Sequence, residues 1–209
     1  LHRDDPLRPA GEIVEALHSQ VRAGKLRYVA CSNWCADRIR EAQAHAARLG
    51  FEGFVADQML WNLGVVDAEV VAEQGLVTMD AELRRLHAES GLAAVPYSSQ
   101  AGGLFHKLMA GGEGRVHPSL DRTYPEIPNR QRLERLRHIT EEHGLSVSQV
   151  VLGYLLSQPF VTVPVVGCKT AAHLRDTLSA ADTRLAPAQV AYLERGARRE
   201  AEEGVCPAV

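Results

Sequence analysis

Short apolar runs alternate with helical stripes along most of this chain, and that alternation constrains the fold more than any other feature. Ile13, Val14, Leu17 and Val21 recur at helical spacing and Gly24 follows them, which predicts a helix over 11–23. A strand is expected at 26–31, where Tyr28 and Val29 are strand formers, and a helix at 36–49 with Ile39, Ala42, Ala46 and Leu49 on one face. Phe54-Val55-Ala56 reads as a short strand running into Asp57 and Gln58. Beyond it the pattern predicts a helix at 80–90, a strand at 92–97, helices at 129–143 and 147–156, a strand at 161–166, and helices at 171–180 and 187–200. Ser146 and Gln149 have capping-box spacing, Thr170 is placed to cap the helix after it, and Pro187 suits a first helical turn. A polar segment rich in Gly and Pro, 99–128, interrupts the rhythm and reads as a long loop, of the kind that is either a functional lid or disordered.

Apolar strands alternating with helices predict an α/β fold built on a parallel sheet. A doubly wound sheet and a (β/α)8 barrel both fit. The strands number four, with Leu1-His2 as the stub of a fifth, which is too few to close a barrel. The chain opens Leu-His-Arg-Asp-Asp-Pro, without Met and without a preceding helix, so it is expected to start part-way through its fold.

Charge narrows the partners. With 23 Lys and Arg against 26 Asp and Glu, and no basic block of five or more, nucleic acid is not an expected partner. No apolar run reaches the length of a membrane span and no signal peptide is visible, so a cytoplasmic protein without a membrane segment is expected. Cys31, Cys35, Cys168 and Cys206 lack zinc-site spacing and read as free thiols of a reducing compartment. At 209 residues the chain suffices for a single domain with its own core.

The strands share one property: each ends on polar groups. The stub ends in His2, strand 26–31 in Ser32-Asn33, the next in Gln58, strand 92–97 in Tyr97-Ser98, and the last in Gly167-Cys168-Lys169. In a parallel sheet these C-terminal ends lie on one side, where α/β proteins place their ligands. A His, amides, hydroxyls, a phenol and a Lys on one rim suit a polar ligand carrying an amide and phosphates. For each of these residues taken singly, a strand-end turn or a solvated helix end is the plainer reading.

Five stretches in order, LHRDDP, GKLRYVACSNW, DQMLWNL, VPYSSQAGG and VPVVGCKTAAHLRDTL, resemble the C-terminal half of the aldo-keto reductases, over His2 to about Leu193. The resemblance implies a (β/α)8 TIM-barrel type fold, present as a partial barrel lacking its first strands, with 1–209 as one domain. It implies hydride transfer between a nicotinamide cofactor and a small-molecule aldehyde or ketone. His2 matches the active-site His that hydrogen-bonds the substrate carbonyl. Ser32, Asn33 and Gln58 match the residues that hold the nicotinamide carboxamide, and Tyr97 the aromatic on which its ring stacks. Ser98 begins the loop over the pyrophosphate, where Ser99-Gln100 replaces the usual Pro-Leu. Gly167, Cys168, Lys169 and Thr170 match the turn that receives the adenosine 2′-phosphate, which favours NADP(H), with NAD(H) possible. His173 stands where many relatives have Arg, Asp176 matches an acidic residue that contacts the adenine amino group, and Thr177 replaces a common Asn.

The same resemblance implies what to look for and not find. The family's proton-donating Tyr, with the Lys and Asp that support it, comes from the first half of the barrel. Tyr28, Tyr124, Tyr154 and Tyr192 do not sit at strand ends. The expected reading is therefore the tail of a longer reductase or of a fusion, inactive alone, whose partner is the missing N-terminal portion. A non-catalytic cofactor-binding auxiliary or sensor subunit is the alternative, and an unrelated α/β binding module or lyase is a third.

Overall fold

A computed structural model describes residues 1–111 and 122–195. Its elements follow the predicted alternation: α1 (Ala10–Arg22), β1 (Val29–Ser32), α2 (Ala36–Arg48), β2 (Phe54–Gln58), α3 (Ala68–Glu73), α4 (Ala81–Ser90) and β3 (Ala93–Ala94). Then come α5 (Leu104–Met109), α6 (Glu126–His143), α7 (Val147–Leu156), α8 (Ala171–Leu178) and α9 (Pro187–Arg195). The expected extension of the last helix to 200, and Cys206, lie outside the described residues.

The strands form a parallel sheet in the order β1-β2-β3. Cys31 pairs with Asp57 and Ser32 with Gln58, so two of the polar strand ends sit side by side. Two further runs flank this sheet through a few hydrogen bonds. Leu1 N donates to Ala30 O, and the 161–165 segment joins β3 through Ala94 N to Val161 O and Val163 N to Ala94 O. The chain thus runs stub, β1, β2, β3 and 161–165 across one layer, with helices packed against it.

Several expectations need correction. The strand expected at 26–31 begins only at Val29; Leu26 and Tyr28 are exposed, and only the later residues enter the core. The regular ladder of the 92–97 run is confined to Ala93–Ala94, although Val95 N and Tyr97 N still bond to Asp57 O and Met59 O. Over 161–166 only one bridge forms, Ala94 to Thr162. Pro96 explains the second, because its nitrogen faces the 161–166 run, as that of Ala94 does, and has no N–H to give to that ladder. The 99–128 segment is not wholly a loop: it contains a 3-10 turn at Ala101–Gly103 and α5, anchored by buried Leu104 and Phe105. Helix α6 also starts three residues early, running through Pro128, which is tolerated in a first turn whose N–H groups have no helical partner anyway.

Local chemistry sets the helix ends that matter for the rim. Ser146 and Gln149 form the expected reciprocal capping box on α7, a cap of about 1 kcal/mol. Thr170 caps α8 by accepting from His173 N. Asp67 and Asp80 cap α3 and α4 in the same way. Beneath the rim, Trp34 is fully buried and meets Phe54 edge-on with ring centroids 5.1 Å apart. This indole plugs the space between the end of β1 and α2, and so fixes the turn that carries Ser32 and Asn33.

One polar cluster lies inside the core. Asp57 and His87 are both fully buried, with Asp57 Oδ2 and His87 Nε2 3.7 Å apart, while Cys31 Sγ donates to Asp57 Oδ1 at 3.5 Å. Burial pushes the Asp57 carboxyl above the usual carboxylate range, and His87 and Cys31 pull it back. The thiol of Cys31 is pushed well up by burial and then by Asp57. Among the described residues no helix is long and apolar enough to cross a membrane, and no cluster of three or more His, Cys, Asp or Glu could hold a metal.

Candidate functional site

Backbone strain marks the rim before any side chain is considered. Among the described residues, Asn33, Ser98 and Ala101 are the non-glycine residues with positive φ, at 58°, 52° and 50°. Such conformations are sparsely populated, cost on the order of 1–3 kcal/mol, and gather at ligand sites. All three follow strand runs, Asn33 after β1 and the other two just past Tyr97. Gly102 and Gly103 continue in the same region at 60° and 80°, which lets the backbone turn tightly into α5.

At one end of the rim, Asn33 is the hub. Its Nδ2 donates to His2 O at 3.2 Å and to Ser32 Oγ at 3.1 Å. Its Oδ1 accepts from Val77 N at 3.1 Å and from the Tyr97 hydroxyl at 2.8 Å. A carboxamide has two donor protons and two acceptor lone pairs, so this amide is fully engaged. A ligand reaches Asn33 only by taking over one of these bonds. Gln58 is different: its side chain is half-buried and makes no hydrogen bond to the described residues. The His2 imidazole is exposed. Burial raises the pKa of the Tyr97 phenol, Asp57 adds to that and Arg3 opposes it.

The other end is a cleft of about 320 Å3 between the turn before α5, the start of α7, and α8. Gly167, Cys168, Lys169, His173, Asp176 and Thr177, the residues expected there from the resemblance to hold a phosphate and adenine, line it. Thr170 serves the same wall as the cap of α8. Lys169 is exposed and pairs with no described carboxylate, leaving its ammonium available. Gln100, which replaces a Leu in the resemblance, reaches Thr177 Oγ1 with its Nε2 at 3.1 Å, and Cys168 Sγ lies 3.5 Å from the same oxygen. The structure therefore brings His2, Ser32, Asn33 and Tyr97 together at one end and the 167–177 residues at the other. Ser98 to Gln100 connects them.

Sequence reading missed His106, Lys107 and Ser148, which also line the cleft. His106 Nε2 lies 3.0 Å from Ser148 Oγ, and Ser148 Oγ donates to Asp176 Oδ2. It also missed Asn62, whose Nδ2 donates to Ser98 O at 3.1 Å and to Tyr124 Oη at 2.9 Å, bracing the strained turn from below. The DQMLWNL stretch contains that Asn, but nothing local in it points to Ser98.

The donor set fits a dinucleotide. Amide and hydroxyl groups cluster at one end, a phenol ring stands beside them, small residues follow, and cations gather at the other end. Deep burial lifts the Tyr124 phenol to about 12, away from the range of a proton donor at neutral pH.

Comparison with known proteins places the chain in a family. The model of the aldo/keto reductase family matches residues 1–197. The chain is 31% identical over 189 residues to the uncharacterized oxidoreductase YrpG of Bacillus subtilis, covering 88% of this chain and 53% of that protein. It is 25% identical over 201 residues to versiconal hemiacetal acetate reductase of Aspergillus parasiticus, covering 93% and 55%. It is also 25% identical over 190 residues to an NADP(+) aryl-alcohol dehydrogenase of Phanerodontia chrysosporium, covering 87% and 46%. The chain spans about half the length of the curated relatives it matches. Among solved structures, the thermostable aldo-keto reductase Tm1743, in complex with the inhibitor epalrestat, superposes with a TM-score of 0.60. At 22% identity the match covers 93% of this chain and 57% of that one, a likeness of fold.

Proposed function

This chain belongs to the aldo/keto reductase family, and we propose that it supplies the cofactor-holding part of an NADP(H)-dependent oxidoreductase acting on aldehydes or ketones. The observation that carries the reading is the rim itself: polar groups at successive parallel strand ends, strained at three non-glycine positions, running from His2 to the Lys169 cleft. A bound nicotinamide dinucleotide would supply the hydride.

The chain's own residues do the rest by position. Gln58 offers an uncommitted amide for a carboxamide, and Tyr97, held by Asn33, presents its ring as a stacking face. Offset stacking contributes about 0.5–1.5 kcal/mol beyond burial. Lys169 provides a point charge for a phosphate at the far end. His2 orients a carbonyl oxygen. Stated in the same terms, 1–209 is the C-terminal part of a (β/α)8 barrel whose first strands lie in another segment. Supporting this, Val161, Val163 and Val165 are 61%, 54% and 45% exposed on a strand run with an open edge.

A second reading, a binding subunit without catalysis, is favoured by one observation. Tyr97 is the one tyrosine at the rim among the described residues, and its hydroxyl is already given to Asn33. Among the described residues this leaves no free rim tyrosine to protonate the alkoxide that hydride transfer makes, a loss of about 10²–10⁴-fold. The test is calorimetric titration of the chain with NADPH, followed by assay with a small aldehyde. The proposal expects binding without enzyme-like turnover, and turnover near 1 s⁻¹ or more would mean the proton donor is in this chain.

A further inference from the structure

The cleft between α5, α7 and α8 contains a proton chain that the functional reading does not use. Ser148 is buried at the start of α7, and its single hydroxyl proton goes to Asp176 Oδ2. The 3.0 Å contact with His106 Nε2 must then be a donation from the imidazole, since Ser148 has no second proton to give. The order is His106 Nε2–H to Ser148 Oγ–H to Asp176 Oδ2. This fixes the tautomer of His106 and leaves its Nδ1 as the atom that gains a proton. Protonation at Nδ1 keeps the chain intact and adds a full positive charge to the cleft wall.

We propose that His106 is a positioning residue that acts through Ser148 to orient Asp176, and that its proton couples the cleft's affinity for a 2′-phosphorylated adenine nucleotide to pH. The proposal rests on the reading of this cleft as the adenine end of the cofactor site. With Oδ2 held by Ser148, the Oδ1 of Asp176 is left to accept from a ligand amino or hydroxyl group. The groups facing His106 are Lys107 from its own helix, Lys169 and Cys168 from the turn before α8, and His173 and Asp176 from α8. No described charged residue of α6 lines the cleft. Burial lowers the imidazole's pKa, Asp176 raises it, and His173 lowers it again. These groups tilt free His106 toward its neutral form, and a phosphate dianion in the cleft favours taking up the proton. By linkage, the protonated form binds that phosphate more tightly.

The test uses adenosine 2′,5′-bisphosphate as the probe and calorimetric binding as the readout, on wild type, His106→Asn, Ser148→Ala and the double variant, each checked for an unchanged melting transition. The phosphate loses charge as its own second pKa near about 6 is crossed, so affinities are compared between variants at the same pH. The wild-type advantage over His106→Asn is expected to grow by about fivefold between about pH 8 and about pH 6. At neutral pH, Ser148→Ala is expected to cost about tenfold in affinity, and the double variant little more, because the two act as one unit. A constant wild-type to variant ratio across pH, with the probe bound, overturns the coupling alone. No binding of the probe by folded wild type at any pH overturns the adenine-nucleotide reading and this proposal with it.

Discussion

The Tyr97 hydroxyl donates to Asn33 Oδ1 across 2.8 Å, joining the end of the 92–97 run to the turn after β1. Between them lies β2, so this bond spans the sheet and ties three strand ends into one rigid edge. It also sets the plane of the Tyr97 ring, the proposed stacking face. Tyr97→Phe keeps the ring and deletes the bond, leaving Asn33 with three partners. Stability is expected to fall by about 1 kcal/mol, with a several-fold loss of NADPH affinity, measured by urea unfolding and calorimetry. A fall in stability with no change in affinity would separate the brace from the binding face.

Lys169 carries the cofactor preference in this account. Lys169→Ala removes the free ammonium from the cleft, where a charged hydrogen bond to phosphate is worth about 1.5–3 kcal/mol. NADPH affinity should fall by roughly ten- to a hundredfold while NADH affinity barely moves. Equal losses for both nucleotides would make Lys169 structural.

The buried Asp57–His87 pair predicts a pH signature. Burial raises the folded Asp57 pKa above its unfolded value of about 4. Stability from the protonated carboxyl is present below that value and is lost as pH rises through the folded one. Asp57→Asn removes this loss while keeping an acceptor toward His87. Wild type should therefore lose stability relative to Asp57→Asn as pH climbs from about 4 toward neutrality. Urea unfolding across that range measures the difference, and a relative gain for wild type would contradict the assignment.

The open edge at 161–166 predicts self-association of the isolated 209-residue chain. Unpaired apolar edges template pairing with other chains. Sedimentation at micromolar concentration should show species larger than a monomer, reduced by Val163→Lys. A stable monomer that Val163→Lys leaves unchanged would mean the edge is already covered.

Much of this was legible in the chain because strand ends and helix caps are local. Ser146 with Gln149, Thr170 before α8, and apolar runs ending in Ser32-Asn33 or Gln58 announce themselves within a few residues. What stayed hidden depends on distance. Asn33 to Tyr97 spans 64 residues, and His106, Ser148 and Asp176 come from three helices, so no spacing rule reveals either cluster. Asp57 reads in the sequence only as a residue into which a short strand runs; the fold alone supplies His87 as its neighbour. Inside 99–128, Leu104-Phe105 and Leu108-Met109 lie within a single six-residue stretch, too short a signal for a one-and-a-half-turn helix to stand out.

The central claim is that one nicotinamide dinucleotide lies along the rim from Gln58 to Lys169. Residue-resolved NMR of the chain titrated with NADP+ tests it most directly. The account predicts that amide shifts concentrate at Ser32, Asn33, Gln58, Tyr97, Ser98 and the 167–177 turn, with one shared affinity. Shifts gathered on another face, or none at millimolar ligand on a folded chain, would contradict it.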